Sequence, residues 1–315
     1  MAMNVGMPQV SVVIPLYQKA DVIAETLRAV LGQTFADFEL VVVDDGSRDG
    51  GGAIVEAIAD PRIRLIRQAN QGEAAARNRG VREARADWIA FLDADDLWTD
   101  THLEDLVAAA AAGDAILVFS NYVLSSAARP VIPAAVPSQR VDDFFKFALT
   151  VYGYPVHPSA VMIRRAALVT AGLFPVGVQM GGDTDTWCRL ALHGAFRYVA
   201  RPTAVYRDGH PTSVLASQLQ RAPLPPSFER TLADLAHHQK LPRRLASTAH
   251  RYKNFLMLEY ARQLLDRGDS VAARRVLLRQ CRIHQDPVRY LKRLLRTWSV
   301  GHNLYTMIRP AAAAR

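Results

Sequence analysis

Cysteine is scarce in this chain of 315 residues: there are only two, Cys188 and Cys281, 93 positions apart. They match no zinc-ligand spacing and no disulfide framework, so a reducing compartment is the simpler expectation. No apolar run approaches the ~18 residues that span a bilayer. The longest candidate, Ala108 to Ala112 with Ala115 to Phe119, is broken by Gly113 and Asp114. The N-terminus lacks a basic stretch followed by an apolar one and a cleavage site, so no secretory signal is expected. A cytoplasmic protein, at most peripheral on the inner face of the membrane, is the resulting expectation. Nucleotide motifs of several kinds are also missing. There is no G-x-x-x-x-G-K-[ST], which excludes a P-loop. Gly46, Gly50, Gly51 and Gly52 do not form G-x-G-x-x-G after a strand, which disfavours a dinucleotide dehydrogenase. No G-x-S-x-G occurs, so the usual hydrolase elbow is absent.

Charge is present but unevenly divided. Residues 1–214 carry 19 Lys+Arg against 24 Asp+Glu, a net of −5, whereas residues 215–315 carry 19 against 6, a net of +13. The first part is therefore no general polyanion binder. The second is suited to an anionic surface, or is a basic helical domain whose charges sit in water. Nucleic acid is not an expected partner, because no reader motif or aromatic platform accompanies the charge.

Short β-branched runs alternate with helical spacing from Val10 to Leu92. Val10 to Leu16, Phe38 to Val43, Ile63 to Arg67 and Trp88 to Leu92 read as strands. Asp21 to Leu31 (with Asp21 as N-cap), Ala53 to Ala59 and Gly72 to Ala86 read as helices. Such alternation implies a Rossmann-like, mostly parallel α/β sheet flanked by helices, with ligands beyond the carboxyl ends of the strands. Asp44-Asp45-Gly46-Ser47 and Asp93-Ala94-Asp95-Asp96 both fall at such ends. Further on, Ser125 to Ser138 reads as a loop, and Thr184 to His193 as a helix preceded by Gly181-Gly182-Asp183. After the proline-rich link Ala222-Pro223-Leu224-Pro225-Pro226, helices are expected over Phe228 to Lys240, Pro242 to Arg267, Val271 to Ile283 and Pro287 to Trp298. The expected division is thus a domain over 1–220 and a basic α-helical domain over 221–315.

Asp93 and Asp95, one residue apart, can close around a hard divalent cation, and phosphate oxygens would complete its coordination. The bland alternative is that Asp93 to Asp96 cap a helix or form a turn. Asp44 to Ser47 reads on its own as a tight turn with Gly46 at positive φ.

Taken together, three stretches resemble the inverting glycosyltransferases of family 2, with their A-type nucleotide-sugar fold. They are VSVVIPLYQKADVIAETLRAVLGQTFADFELVVVDDGSRDG, NQGEAAARNRGVREARADWIAFLDADDLW and GGDTDTWCRLALHGAFRYVARPTAVYR. The resemblance covers about residues 8 to 214 and leaves the last hundred aside. It implies that Pro15 and Tyr17 line the pocket of the base. Asp45 would accept the hydrogen of a uracil-type imide, and Arg77 would contact the pyrophosphate or base, with Arg79 a rival. Asp93 would serve ribose and metal, and Asp95 would ligate Mn²⁺ or Mg²⁺. His210 resembles a histidine that closes over the metal or diphosphate. Asp183 stands at the place of the catalytic base, with Asp185 as neighbouring alternative. One departure is Gly182, where the family usually has an acidic residue. The implied partners are a nucleoside-diphosphate sugar and a glycan or lipid-linked acceptor; a peripheral contact of 221–315 with an anionic membrane is suggested by its charge alone.

Two other classes share some of these features. A nucleotidyltransferase would combine a similar sheet with an acidic metal pair, but its glycine-rich basic loop is missing from LYQKAD after the first strand. A non-catalytic, transferase-like binding protein would not need Asp93, Asp95 and Asp183 all to be intact.

Overall fold

A computed structural model describes residues 7–151, 153–178, 180–208, 225–237 and 240–298. The chain divides into two units, Met1–Gln220 and Arg221–Arg315.

The first unit is built on one ten-stranded sheet. Its strands are β1 (Val10–Leu16), β2 (Phe38–Asp44), β3 (Ile63–Arg67), β4 (Trp88–Phe91), β5 (Leu97–Trp98), β6 (Leu117–Leu124), β7 (Arg129–Pro130), β8 (Gln139–Val141), β9 (Val161–Arg164) and β10 (Phe196–Tyr206). Its helices are α1 (Ile23–Leu31), α2 (Gly51–Glu56), α3 (Glu73–Glu83), α4 (His102–Ala111), α5 (Phe144–Val151), α6 (Arg165–Thr170) and α7 (Gly182–Leu190). The main path of the sheet runs β3-β2-β1-β4-β9-β6-β10-β5. β1, β2, β3 and β4 are all parallel, as the alternating pattern predicts. β9 enters antiparallel to both β4 and β6, so the sheet is mixed beyond its mostly parallel centre.

Every residue of β1 and β2 is buried, which explains why both read as unbroken apolar runs rather than alternating ones. β1 has β2 on one side and β4 on the other, so consecutive crossovers leave it in opposite directions. That is the topological switch point, where a crevice opens beyond the strand ends. Pairing of β1 with β4 stops at Val13, whereas pairing with β2 continues to Leu16. Pro15, which has no N–H to donate, therefore stands past the end of one ladder. Helix α3 lies very close to β1: a Cβ on Gly80 would sit 2.2 Å from Val13 Cγ1. Only glycine permits that approach, and it is what holds the polar side of α3 at the crevice.

Several element boundaries differ from the sequence reading. α1 begins at Ile23 with Val22 at the cap position, and no side chain caps it, so Asp21 does not serve as N-cap. α2 starts earlier than expected, at Gly51, because Gly50 supplies a left-handed turn (φ 89°). The loop expected over Ser125 to Ser138 contains β7, a short edge strand on β6. Helix α6 was not legible, being a six-residue segment too short for a periodic signal.

The second unit is helical over Phe228–His237, Arg243–Asp266, Ser270–Gln280 and Pro287–Arg296. Its core gathers Met257, Leu258, Ala261, Leu264 and Leu265 of the long helix with Ala273, Val276, Leu277 and Tyr290. No described helix is long and apolar enough to cross a membrane.

Candidate active site

Both acidic clusters lie where the strand order reverses. After β2, the turn carries Gly46 at φ 79°, which glycine adopts without strain. Asp45 is buried, and its carboxylate accepts the backbone N–H groups of Gln71 (3.0 Å) and Gly72 (2.8 Å) and the Gln68 side-chain amide (2.8 Å). It thereby fixes the loop that leads into α3. A carboxylate has about four acceptor positions, so one direction is left over. Tyr17, just past β1, is half exposed and able to present its ring to a planar ligand.

After β4, the three carboxylates have different surroundings. Asp93 accepts from the Arg77 guanidinium at 2.6 Å. Asp95 accepts from Lys19 Nζ at 2.5 Å. Asp96 is fully buried; it takes the Ser159 hydroxyl at 2.5 Å and the Arg207 backbone N–H at 3.0 Å. Burial pushes the Asp96 carboxyl well above the usual range, and the neighbouring Asp93 adds to this. Asp96 is a tie between loops. The Thr26 hydroxyl donates to the carbonyls of Ala94 and Asp96 and anchors the same turn to α1.

Among the described residues, ligand atoms of Asp93, Asp96 and His157 lie within 4.8 Å of one another. His157 Nδ1 accepts the Ser159 N–H at 3.2 Å, and its ring packs against Tyr122 and Tyr206. Burial lowers its pKa to about 4, so the ring is neutral. His157 Nδ1 and both Asp96 oxygens already take hydrogen bonds, and Asp95 takes the Lys19 ammonium, so a cation in either set would share its donors with the protein. His210 lies outside the described residues.

Arg77 is the hub of the site. It is 2% exposed and projects from α3. Its NH2 donates to Asp93 and to Glu73 at 2.5 Å, and its NH1 donates to Asp183 Oδ1 at 2.9 Å. Its Nε has no hydrogen-bond partner among the described residues. Burial alone would favour loss of the proton, but Asp93, Glu73 and Asp183 outweigh it and hold the guanidinium charged. Asp183 occupies the first turn of α7, where the helix dipole favours negative charge. Its side chain keeps 40% of its surface open and that of Glu73 41%, and each lies against the buried Arg77 guanidinium. Desolvation raises the carboxyl of Asp183, with Arg77 opposing and Asp93 assisting. Desolvation likewise pushes Glu73 up to about 8, against the pull of Arg77. Asp93 is held below the usual range, because Arg77 overcomes the burial that opposes its charge.

The crevice thus brings together Asp93, Arg77 and Asp183, three residues that span more than a hundred positions of chain. The two rivals point elsewhere. Asp185 is buried and paired with Arg189 at 2.8 Å, and Arg79 pairs with Glu83 at 2.8 Å. Lys19, Glu73, Ser159 and Arg207 were missed by the sequence reading. For Glu73 a signal existed, since it stands four residues before Arg77 on one helix face. The others act from loops or, for Ser159, from a single 3-10 turn, where no periodicity marks them.

A family model described as glycosyl transferase family 2 matches residues 11–168. Among curated relatives, the uncharacterized glycosyltransferase EpsJ of Bacillus subtilis is 36% identical over 137 residues, covering 42% of this chain and 40% of that protein. The succinoglycan biosynthesis protein ExoO of Rhizobium meliloti is 41% identical over 115 residues, covering 36% and 33%. The chain therefore spans well under half the length of these relatives. Among solved structures, Staphylococcus aureus TarS 1–349 in complex with UDP-GlcNAc superposes with a TM-score of 0.66 at 18% identity, over 92% of this chain and 80% of that one. The mannosyltransferase PcManGT from Pyrobaculum calidifontis, in complex with GDP-Man and Mn2+, gives 0.61 at 21% identity, over 96% and 84%. These likenesses establish the same fold. With the family model covering half of the sequence and both acidic clusters at the switch point of the sheet, the chain belongs to glycosyl transferase family 2.

Proposed function

We propose that this protein transfers a sugar from a nucleoside diphosphate, a uridine one by preference, to an acceptor hydroxyl, with inversion at the anomeric carbon. The acceptor is a growing glycan or a lipid-linked sugar in polysaccharide or glycoconjugate synthesis. Residues 1–220 form the catalytic domain and 221–315 an accessory basic domain. The observation that carries this reading is the buried Arg77 guanidinium joining Asp93, beyond β4, to Asp183, at the start of α7. One charged fork ties together the place where a diphosphate would be held and the place where a proton would be removed.

The base would lie against Tyr17 and Pro15, its imide N–H directed to the remaining acceptor position of Asp45. Asp93 and Asp95 supply hard oxygen donors suited to Mn²⁺ or Mg²⁺, and Lys19 Nζ already places a positive charge against Asp95. When bound, such a cation screens the diphosphate and stabilises its departure. Asp183 takes the proton of the acceptor hydroxyl as that oxygen attacks the anomeric carbon from the face opposite the leaving diphosphate. The C–O bond to the diphosphate breaks as the new one forms, which inverts the centre. The raised proton affinity of Asp183 suits a base. The relatives' complexes with UDP-GlcNAc and with GDP-Man and Mn2+ support a nucleotide-sugar donor. A panel of nucleotide sugars in thermal shift, with and without Mn²⁺, tests the reading. Stabilisation by one donor that depends on the metal is expected, and no stabilisation by any donor would overturn it.

A further inference from the structure

The C-terminal unit contains a helix with apolar side chains on two faces, of which only the one carrying Tyr290 and Leu294 enters the core. On Pro287–Arg296, Val288, Leu291 and Leu295 are spaced three and four apart, and Trp298 continues their line just past the helix end. All four are exposed, none by less than 47%. The docked face carries Tyr290 and Leu294, which pack into the core of the unit, together with Arg293 and Arg296. Arg293 pairs with Glu259 at 2.6 Å and Arg296 with Asp266 at 2.8 Å, both acceptors on the long helix Arg243–Asp266. An amphipathic helix normally buries its apolar stripe. Here Tyr290, Leu294 and two ion pairs hold the helix down, and a second apolar stripe is turned outward.

We propose that this stripe docks in the plane of an anionic lipid surface. Charge decides between the candidate occupants. Residues 215–315 carry a net +13, and Arg275, Arg279, Arg282 and Lys292 are exposed on this unit. A second copy of the chain would bring the same basic surface against itself. Nucleic acid would meet the charges but leave three aliphatic side chains in water. An anionic bilayer satisfies both, with acyl chains for Val288, Leu291 and Leu295 and headgroups for the cations. Trp298 has Arg274 stacked 4.5 Å over its ring, an amphipathic pair suited to headgroup depth. No described helix is both long and apolar enough to cross a membrane, and the proposed contact is interfacial. This inference stands independently of the transferase reading.

Flotation of the full chain tests it, with vesicles of phosphatidylcholine containing phosphatidylglycerol against phosphatidylcholine alone. The chain is expected to float with the anionic vesicles and to dissociate at high salt. Leu291→Asp with Leu295→Asp is expected to weaken partitioning about a hundredfold or more. Leu295→Gln alone should give a smaller loss. The replaced side chains are exposed, so the thermal midpoint and any nucleotide-sugar shift should be unchanged, which separates a failure here from a failure of the catalytic reading. Absence of flotation by the full chain overturns the proposal, as does equal flotation of the double variant. Sedimentation as a dimer that the double variant dissociates, without vesicle binding, assigns the stripe to a second copy and overturns it too.

Discussion

Lys19 Nζ lies 2.5 Å from Asp95 Oδ2, so a side chain from the loop after β1 already occupies the cation-seeking face of the turn after β4. Both side chains are largely withdrawn from water, which strengthens their attraction. A divalent cation bound by Asp95 must displace this ammonium or share the carboxylate with it. Lys19→Met removes the competing charge, and we expect Mn²⁺ to bind about tenfold more tightly. Calorimetric titration of Mn²⁺ into the variant and the parent measures this. Unchanged affinity would place the cation away from Asp95.

Asp183 tests the proposed proton transfer. Asp183→Asn keeps the shape but cannot take a proton, so turnover should fall about 10²–10⁴-fold. Donor binding should change little, because the amide oxygen can still accept from Arg77. The sign of the pH dependence also follows. Burial raises the carboxyl of Asp183, so the ionised base appears only at a pH above the ordinary aspartate range near ~3.9. The acid limb of kcat/KM should lie correspondingly higher. Full turnover in the variant would remove Asp183 from the reaction.

Arg77 holds three carboxylates that would otherwise repel one another. Arg77→Met leaves Asp93, Glu73 and Asp183 crowded together without their counter-charge, and should destabilise the first unit by about 3–5 kcal/mol. Arg77→Lys keeps the charge but loses the fork that reaches Asp93 and Asp183 from different nitrogens. It should cost less stability while still lowering turnover. Urea unfolding of both variants beside the parent measures the difference. Equal stability for all three would mean that the carboxylates are relieved by protonation instead.

The strands β1, β2 and β4 and the two aspartate clusters were legible because buried parallel strands write mostly apolar runs whose ends are marked by polar residues, whereas β3, at the end of the sheet, is only half-buried. The direction of β9 was not legible. Val161–Arg164 carries the same apolar signature either way, and only its neighbours β4 and β6 orient it. The distinction among Asp93, Asp95 and Asp96 was hidden for a related reason. Three carboxylates in four positions look alike in sequence, and their roles separate only once Arg77, Lys19 and Ser159 arrive from other parts of the chain. The outward stripe of the Pro287–Arg296 helix was also invisible. Periodicity shows that a helix has apolar positions but not that Tyr290, Leu294 and the ion pairs to Glu259 and Asp266 claim the face opposite the stripe.

Glu39 provides a prediction about stability alone, because it lies on β2 away from the crevice chemistry. It is buried and accepts the Ser11 hydroxyl at 2.7 Å, the Arg85 backbone N–H at 2.6 Å and Arg64 NH1 at 3.0 Å. These bonds join β1, β2, β3 and the segment before β4. Burial opposes its charge, but the hydrogen bonds from Ser11, Arg85 and Arg64 win and lower its pKa. A carboxylate depressed by folding stabilises the folded state above its unfolded pKa, and that contribution is lost as pH falls through the folded value. Glu39→Gln should therefore cost about 1–3 kcal/mol at neutral pH. The gap between variant and parent should narrow below about pH 4, where Glu39 takes up its proton in the unfolded chain. Urea unfolding at neutral and acidic pH measures both effects, and a gap that stays constant with pH would show that the amide fails sterically rather than through lost charge.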